Sequence, residues 1–257
     1  MNIIKKMKQY RFLFEELVKR DFSKKYKRTV LGMIWSILGP LMTLGIMALV
    51  FSSMFGQKIE HYVIYLFCGN VIFSFYKEAT TTGMTALVAN ASIFSKVNVP
   101  KYMFLLSRNV SSLINFSINL AVLMVFCIAD NVAITWKFLI LIYPAGCLVV
   151  FNIGLGLILS ALYIMFRDTM YLYDVFTLLL MYLSAIFYSL DTFSPSAKQL
   201  FYLNPVYVYI EYFRTIILHG EIPSLFLNIA AFGYAFLVLL IGAIIYKKEN
   251  FKFLYYI

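Results

Sequence analysis

The sequence predicts an all-α integral membrane protein. Six transmembrane helices are expected, with an N-terminal amphipathic interfacial helix and a helical hairpin that re-enters from the external side. Three observations carry this. Of the 257 residues, 62% are hydrophobic and only 13% charged, whereas about a quarter of a soluble domain is charged. Several runs exceed the roughly 18 apolar residues that mark a membrane span. Ten of the 22 Lys and Arg residues lie in the first 28 positions, directly ahead of a charge-free stretch from Thr29 to Phe55. The net charge of +10 is therefore placed for a membrane surface and not for nucleic acid.

Residues 1–28 are expected to form the interfacial helix. Ile3, Met7, Tyr10, Phe14 and Leu17 recur at spacings of four and three, which is one face of a helix, while Lys5, Lys8, Glu15, Glu16 and Lys19 lie off that face. Glu15 and Lys19 are spaced as a favourable i,i+4 pair. The segment is too charged for a cleavable signal peptide, and the apolar run behind it is too long for a signal core. It ends in the dense cluster Lys24, Lys25, Lys27 and Arg28.

The spans follow in order. The first covers 31–55. The second runs from after His61 to about Leu87 and is interrupted by Lys77 and Glu78. The third covers 107–129, and the chargeless fourth, 138–166, stops at Arg167-Asp168. The fifth, 169–190, contains Asp174, and the sixth, 223–246, ends against "KKENFK". Within 192–221, Ser194-Pro195 and Asn204-Pro205 each read as a cap followed by proline at the first helical position. Two helices this short cannot each cross a bilayer, hence the re-entrant expectation. Val206, Tyr209, Ile210, Phe213, Ile216 and Ile217 make its apolar face, with Glu211 and Arg214 off it, and His219-Gly220 is its stop.

Six crossings put 17 Lys and Arg on the side of the N-terminus and four on the other, with Lys77 inside a span. Both termini are therefore expected in the cytoplasm. Cys68, Cys127 and Cys147 lie in apolar stretches without CxxC spacing and read as buried free thiols. The chain contains no GxxxxGK[ST], HExxH or GxSxG, and its two histidines, His61 and His219, form no cluster. No catalytic set, metal site or bound cofactor is expected. Lys77 and Glu78 face either a cavity or a wet bend in the span; Asp174 fits near the headgroups. Tyr65, Phe73, Tyr76, Phe187 and Tyr188 are the aromatics chosen as candidates to line a transport path, since aromatic faces stack on sugar rings.

Four stretches share a pattern. "LVKRDFSKKYKRTVLGMIWSILGPL" (17–41), "ANASIFSKVNVPK" (89–101), "MFRD" (165–168) and "LNPVYVYIEYFR" (203–214) occur in the order and spacing found in ABC-2 type permeases. The chain resembles those that export O-antigen, capsule and teichoic acid. It departs from them in lacking a second proline after "KVNVP" and in reading "SAIFYSL" where a "PIFYP"-like end is common. The resemblance implies a single transmembrane domain over 1–257, dimerising and pairing with two copies of a separate ATPase that holds the ATP and Mg. It implies a coupling loop at 88–106, with Asn90, Ile93, Phe94, Lys96, Val97, Val99 and Pro100 against that ATPase. It also implies an undecaprenyl-type lipid-linked polysaccharide entering from the inner leaflet of a bacterial cytoplasmic membrane, with Lys24, Lys25, Lys27 and Arg28 at its pyrophosphate or serving only as a topological anchor. A drug or small-lipid permease would share the architecture. A membrane enzyme acting on lipid-linked sugars would need a convergent polar site that the sequence does not offer.

Overall fold

A computed structural model describes residues 10–249 apart from Arg28, Gln57, Lys58, Ser95, Val97 and Asn98. The predicted positions Ile3, Lys5, Met7 and Lys8 therefore lie outside the described residues. All regular structure among the described residues is helical. The helices are α1 (Arg11–Tyr26), α2 (Trp35–Phe55), α3 (Tyr62–Ala89), α4 (Ala91–Phe94) and α5 (Tyr102–Ala129), then α6 (Ile142–Met165), α7 (Thr169–Leu183), α8 (Pro195–Phe201), α9 (Pro205–Ile217) and α10 (Leu225–Glu249).

Four stretches are long and apolar enough to cross a membrane: Gly32–Phe55, Tyr102–Ala129, Trp136–Met165 and Leu225–Glu249. They correspond to the first, third, fourth and sixth predicted spans. The 28-residue α3 is as long as α5 but carries Lys77 and Glu78. The fifth predicted span ends early, because α7 has only 15 residues, about 22 Å of helix against roughly 30 Å of hydrocarbon.

The break after α7 has a physical cause. Ala185 takes a left-handed φ of 48°, unusual for a residue with a Cβ, and the backbone around it turns its carbonyls to side chains. Arg214 donates through Nη1 to the Ala185 carbonyl at 2.9 Å and through Nη2 to those of Tyr65 and Ile186 at 3.2 Å each. The Tyr62 hydroxyl donates to the Phe187 carbonyl and the Tyr65 hydroxyl to the Tyr188 carbonyl, both at 2.7 Å. Arg214, expected off the apolar face of the hairpin, is only 2% exposed. Its guanidinium carbon sits 3.4 Å from the centre of the Tyr65 ring. These interactions compensate its burial.

The caps of α8 and α9 form as expected. The Ala197 N–H donates to Ser194 Oγ at 3.4 Å and the Val206 N–H to Asn204 Oδ1 at 3.0 Å. All six residues of the predicted apolar face of α9 are buried, and Gly220 turns the chain with a φ of 60°. The three cysteines are free and buried.

The core runs through α3, α5, α6, α9 and α10. The α6–α10 crossing is unusually close. A Cβ added at Gly154 would stand 2.5 Å from the Leu239 backbone nitrogen, and one at Gly242 would strike the Gly154 carbonyl. Small residues at a helix crossing let two backbones meet, which is how membrane helices gain packing energy without a hydrophobic drive.

Candidate functional site

α1 does not merely rest beside the bundle. Leu17 is 3% exposed and joins Ala86, Leu87, Phe104, Leu105, Ala161 and Ile164 in one apolar cluster, with Leu13, Ala91 and Ile93 against it. The face predicted by Tyr10, Phe14 and Leu17 continues one turn further to Asp21, a buried carboxylate. Its side chain is 1% exposed. Arg20 donates to Asp21 Oδ1 at 2.7 Å from Nη2, Ser107 Oγ donates to Oδ2 at 3.2 Å, and Arg108 Nε stands 3.4 Å from Oδ2. The same Arg20 Nη2 donates to Asn90 Oδ1 at 2.8 Å, and Asn90 Nδ2 caps back to the Ala86 carbonyl at 2.7 Å. One Arg-Asp pair thus ties α1 to the end of α3 and the start of α5. On the outer face, ion pairing is shifted from the expected register. Glu15 pairs with Arg11 at 2.7 Å, and Lys19 pairs with Glu16 at 3.0 Å. The Arg11 hydrogen bond holds the Glu15 carboxyl below its usual range.

Asn90 is therefore buried and clamped. Of the other residues expected in the coupling loop, Ile93 and Pro100 are half-buried, Val99 is buried and Lys96 is exposed. Val97 and the side chain of Phe94 lie outside the described residues. Burial pushes the ammonium of the adjacent Lys101 below its ordinary range.

One turn beyond Asp21, Lys24 and Lys25 line a cleft of about 330 Å³ together with Asp21, Glu78, Arg108 and Ser112. Lys25 Nζ meets Glu78 Oε2 at 2.9 Å, and Asn115 Nδ2 donates to Glu78 Oε1 at 2.8 Å. Lys27 is exposed and does not line the cleft. Arg28 is outside the described residues.

The cleft opens on a stripe that runs along α3. Between Ile64 and Ala86, every position of this helix that is not buried is polar: Ser74, Lys77, Glu78, Thr81, Thr82 and Thr85. The spacings of three and four place them on one side of the helix. The open faces of α7 and α10 are the opposite, with Leu172, Val175, Phe176 and Leu179 on one and Ile229, Phe232, Phe236 and Leu240 on the other. The aromatics predicted for a path sit elsewhere. Tyr65, Phe73, Tyr76 and Phe187 are buried in the protomer and Tyr188 is half-buried. Tyr173 holds Tyr76 and Thr80 together from α7, with its hydroxyl 3.1 and 2.6 Å from theirs.

At the end of the bundle away from α1 lies a second polar cavity, about 360 Å³, bounded by His61, Tyr65, Asp191, Tyr207, Glu211 and Arg214 among others. His61 Nδ1 lies 2.7 Å from Asp130 Oδ2, joining the start of α3 to the end of α5. Among the described residues no group of His, Cys, Asp and Glu is arranged to hold a metal ion.

Known proteins match this sequence over most of its length. A family model described as ABC-2 type transporter covers residues 13–218, from α1 to just past α9. The chain belongs to the ABC-2 type transporter family. Membership makes it the membrane subunit of a transporter, not catalytic on its own. Two proteins from Klebsiella pneumoniae named O-antigen export system permease protein RfbA are 24% and 25% identical to it over 247 residues, covering 94% of this chain and 95% of theirs. The protein of that name from Myxococcus xanthus is 25% identical over 228 residues, 87% of each chain. In this ABC-2 chain, the Arg20-Asp21 pair lies within the 17–41 stretch that carries the resemblance, and its structural role is to seat α1.

Proposed function

We propose that the chain is the membrane half of an ATP-driven exporter that moves a lipid-linked polysaccharide of the O-antigen class out of the inner leaflet. It acts as a homodimer with two copies of a separate ATPase, in a bacterial cytoplasmic membrane, with both termini inside. The relatives' names and near full-length coverage support the substrate class. α3 and α7 complete six crossings, the short α7 being continued by the break at 184–190. α8 and α9 re-enter from outside, and the segment from Asn90 to Pro100 faces the ATPase.

The observation that carries the reading is the polar stripe of α3. A face of hydroxyls with one cation and one anion cannot be left against lipid tails without a large desolvation penalty. It calls for water or a second polar surface. Two copies meeting across this face would enclose a path whose walls donate to and accept from sugar hydroxyls. An apolar drug or small lipid would gain nothing from such walls, which favours the polysaccharide over that alternative. On this reading the path lies along Ser74, Thr82 and Thr85, with the aromatics behind it.

The test replaces hydroxyls by methyls of the same shape. Thr82→Val with Thr85→Val, supplemented by Ser74→Leu to narrow the path, should lower glycan export in cells while the complex still assembles. Undiminished export by an assembled triple variant would remove this face from the path.

A further inference from the structure

We propose that Glu78 is a resident carboxylate in an anion site, holding Lys25 until the diphosphate of the lipid-linked substrate displaces it. This rests on the export reading above and adds to it a competitor built into the chain itself.

The position is unusual for an acid. Glu78 stands 11 residues before the end of α3, about 16 Å along the axis from its cytoplasmic end. A carboxylate at that depth needs partners, and each of its oxygens has one. Lys25 Nζ meets Oε2 at 2.9 Å and Asn115 Nδ2 donates to Oε1 at 2.8 Å. A cation and a neutral donor converging on one pair of anionic oxygens is also what a phosphoryl group requires. Around it, Lys24, Thr82, Ser111 and Ser112 line the same cleft, and Arg108 is there too, its buried Nε 3.4 Å from Asp21 Oδ2. The other acid, Asp21, is not exchangeable in this way, because its two oxygens already face Arg20, Ser107 and Arg108.

The Lys25–Glu78 pair is also breakable. The two side chains are 45% and 29% exposed, and ion pairs this open belong to the weak class. A diphosphate carries more charge and more acceptor oxygens than one carboxylate. It reaches Lys24 and Lys25 together, so it wins the competition. A phospholipid phosphate with a single charge competes with Glu78 on nearly equal terms and gains little. The carboxylate thus acts as a filter: every anion must break the same Lys25 pair, and only one that then bridges both lysines recovers that cost, which is specificity gained by opposing the wrong ligand. Because Lys25 belongs to α1 and Glu78 to α3, displacement also frees one tie between these helices while the Asp21 clamp keeps α1 seated.

The test uses the native complex with its ATPase in nanodiscs. A zero-length carbodiimide joins an amine to a carboxylate only where they touch, so mass spectrometry of the Lys25–Glu78 cross-link reads the pair directly. Polyprenyl diphosphate in the nanodisc should suppress this cross-link, and the same mole fraction of phosphatidylglycerol should not. In parallel, Glu78→Gln keeps the side-chain shape and removes the competing charge. It should bind polyprenyl diphosphate about fivefold more tightly, the factor that one weak ion pair represents. A cross-link indifferent to polyprenyl diphosphate, or a Glu78→Gln variant that binds it no better than the wild type, overturns the proposal. Equal suppression by phosphatidylglycerol overturns the diphosphate assignment and makes the cleft a phospholipid site. Failure of the export reading shows separately. Selective suppression by polyprenyl diphosphate in a complex that exports no glycan leaves the site standing and removes that reading.

Discussion

Replacing Asp21 by asparagine keeps the shape of the side chain and removes its charge. In the native protein this carboxylate is 1% exposed and stands between two guanidinium groups, at 2.7 Å from Arg20 and 3.4 Å from Arg108. Breaking a buried ion pair by removing one partner costs about 3–5 kcal/mol, mostly through the charge left behind. The Arg20 share must be discounted, because that side chain is 40% exposed and rehydrates. Arg108, at 18% exposure, does so less readily. The net expectation is about 2–3 kcal/mol, or roughly 5–10 °C in unfolding midpoint for a chain of this size. Thermal unfolding of the lipid-embedded complex measures it. The same clamp reaches Asn90, so Arg20→Ala and Asn90→Ala should be non-additive in a double-mutant cycle. The coupling expected for a charge-assisted hydrogen bond that is partly exposed is about 1–2 kcal/mol. An Asp21→Asn midpoint within about 2 °C of the wild type, or strict additivity in the cycle, would refute the idea that this pair anchors α1.

Four further outcomes are expected. Gly154→Ala places a methyl 2.5 Å from the Leu239 nitrogen and should destabilise the α6–α10 crossing by about 1–3 kcal/mol, seen as a lowered unfolding midpoint; an unchanged midpoint would mean that the helices part freely. Arg214→Lys cannot fan donors to the carbonyls of Tyr65, Ala185 and Ile186 and should cost about 2 kcal/mol or more, with new protease sensitivity at 184–190; a resistant, equally stable variant would argue against the account of the helix break. Phe94→Asp should lower ATP hydrolysis by the complex while leaving membrane insertion intact, and normal coupling in that variant would place the ATPase contact elsewhere. Single cysteines at Ser196 and Glu221, in a chain without Cys68, Cys127 and Cys147, should both react with an impermeant reagent from outside. Labelling of either only from the cytoplasm would reject the re-entrant hairpin.

Much of the fold is legible in the sequence because apolar runs and caps are local signals. The 31–55 and 223–246 runs match helices within a few residues, and the caps ahead of Pro195 and Pro205 form at Ser194 and Asn204. The end of α7 is not legible. "SAIFYSL" contains neither glycine nor proline, and the break is stabilised by Tyr62, Tyr65 and Arg214, which lie far from it in sequence. Charge predicts exposure for Arg214 itself, yet the carbonyls of a broken helix give a buried guanidinium its partners. Within the site, the basic cluster at Lys24 and Lys25 is visible in the sequence, but Glu78 is 53 residues from Lys25 along the chain, and no pattern links them. A signal for the α3 stripe is present. Ser74, Lys77, Glu78, Thr81, Thr82 and Thr85 recur at helical spacing, which a count of polar positions finds; hydropathy alone marks Lys77 and Glu78 as an interruption and is blind to the three threonines.

The function proposed for this chain is vectorial export of a lipid-linked glycan together with an ATPase partner. Its most direct test is reconstitution of the two subunits in proteoliposomes carrying a fluorescent lipid-linked oligosaccharide, with an impermeant glycosidase on the far side of the membrane. Glycan cleavage that depends on ATP and on both subunits is expected, with no ATP-driven uptake of apolar drugs by the same vesicles. ATP hydrolysis without glycan delivery, accompanied by transport of a small apolar compound, would contradict it.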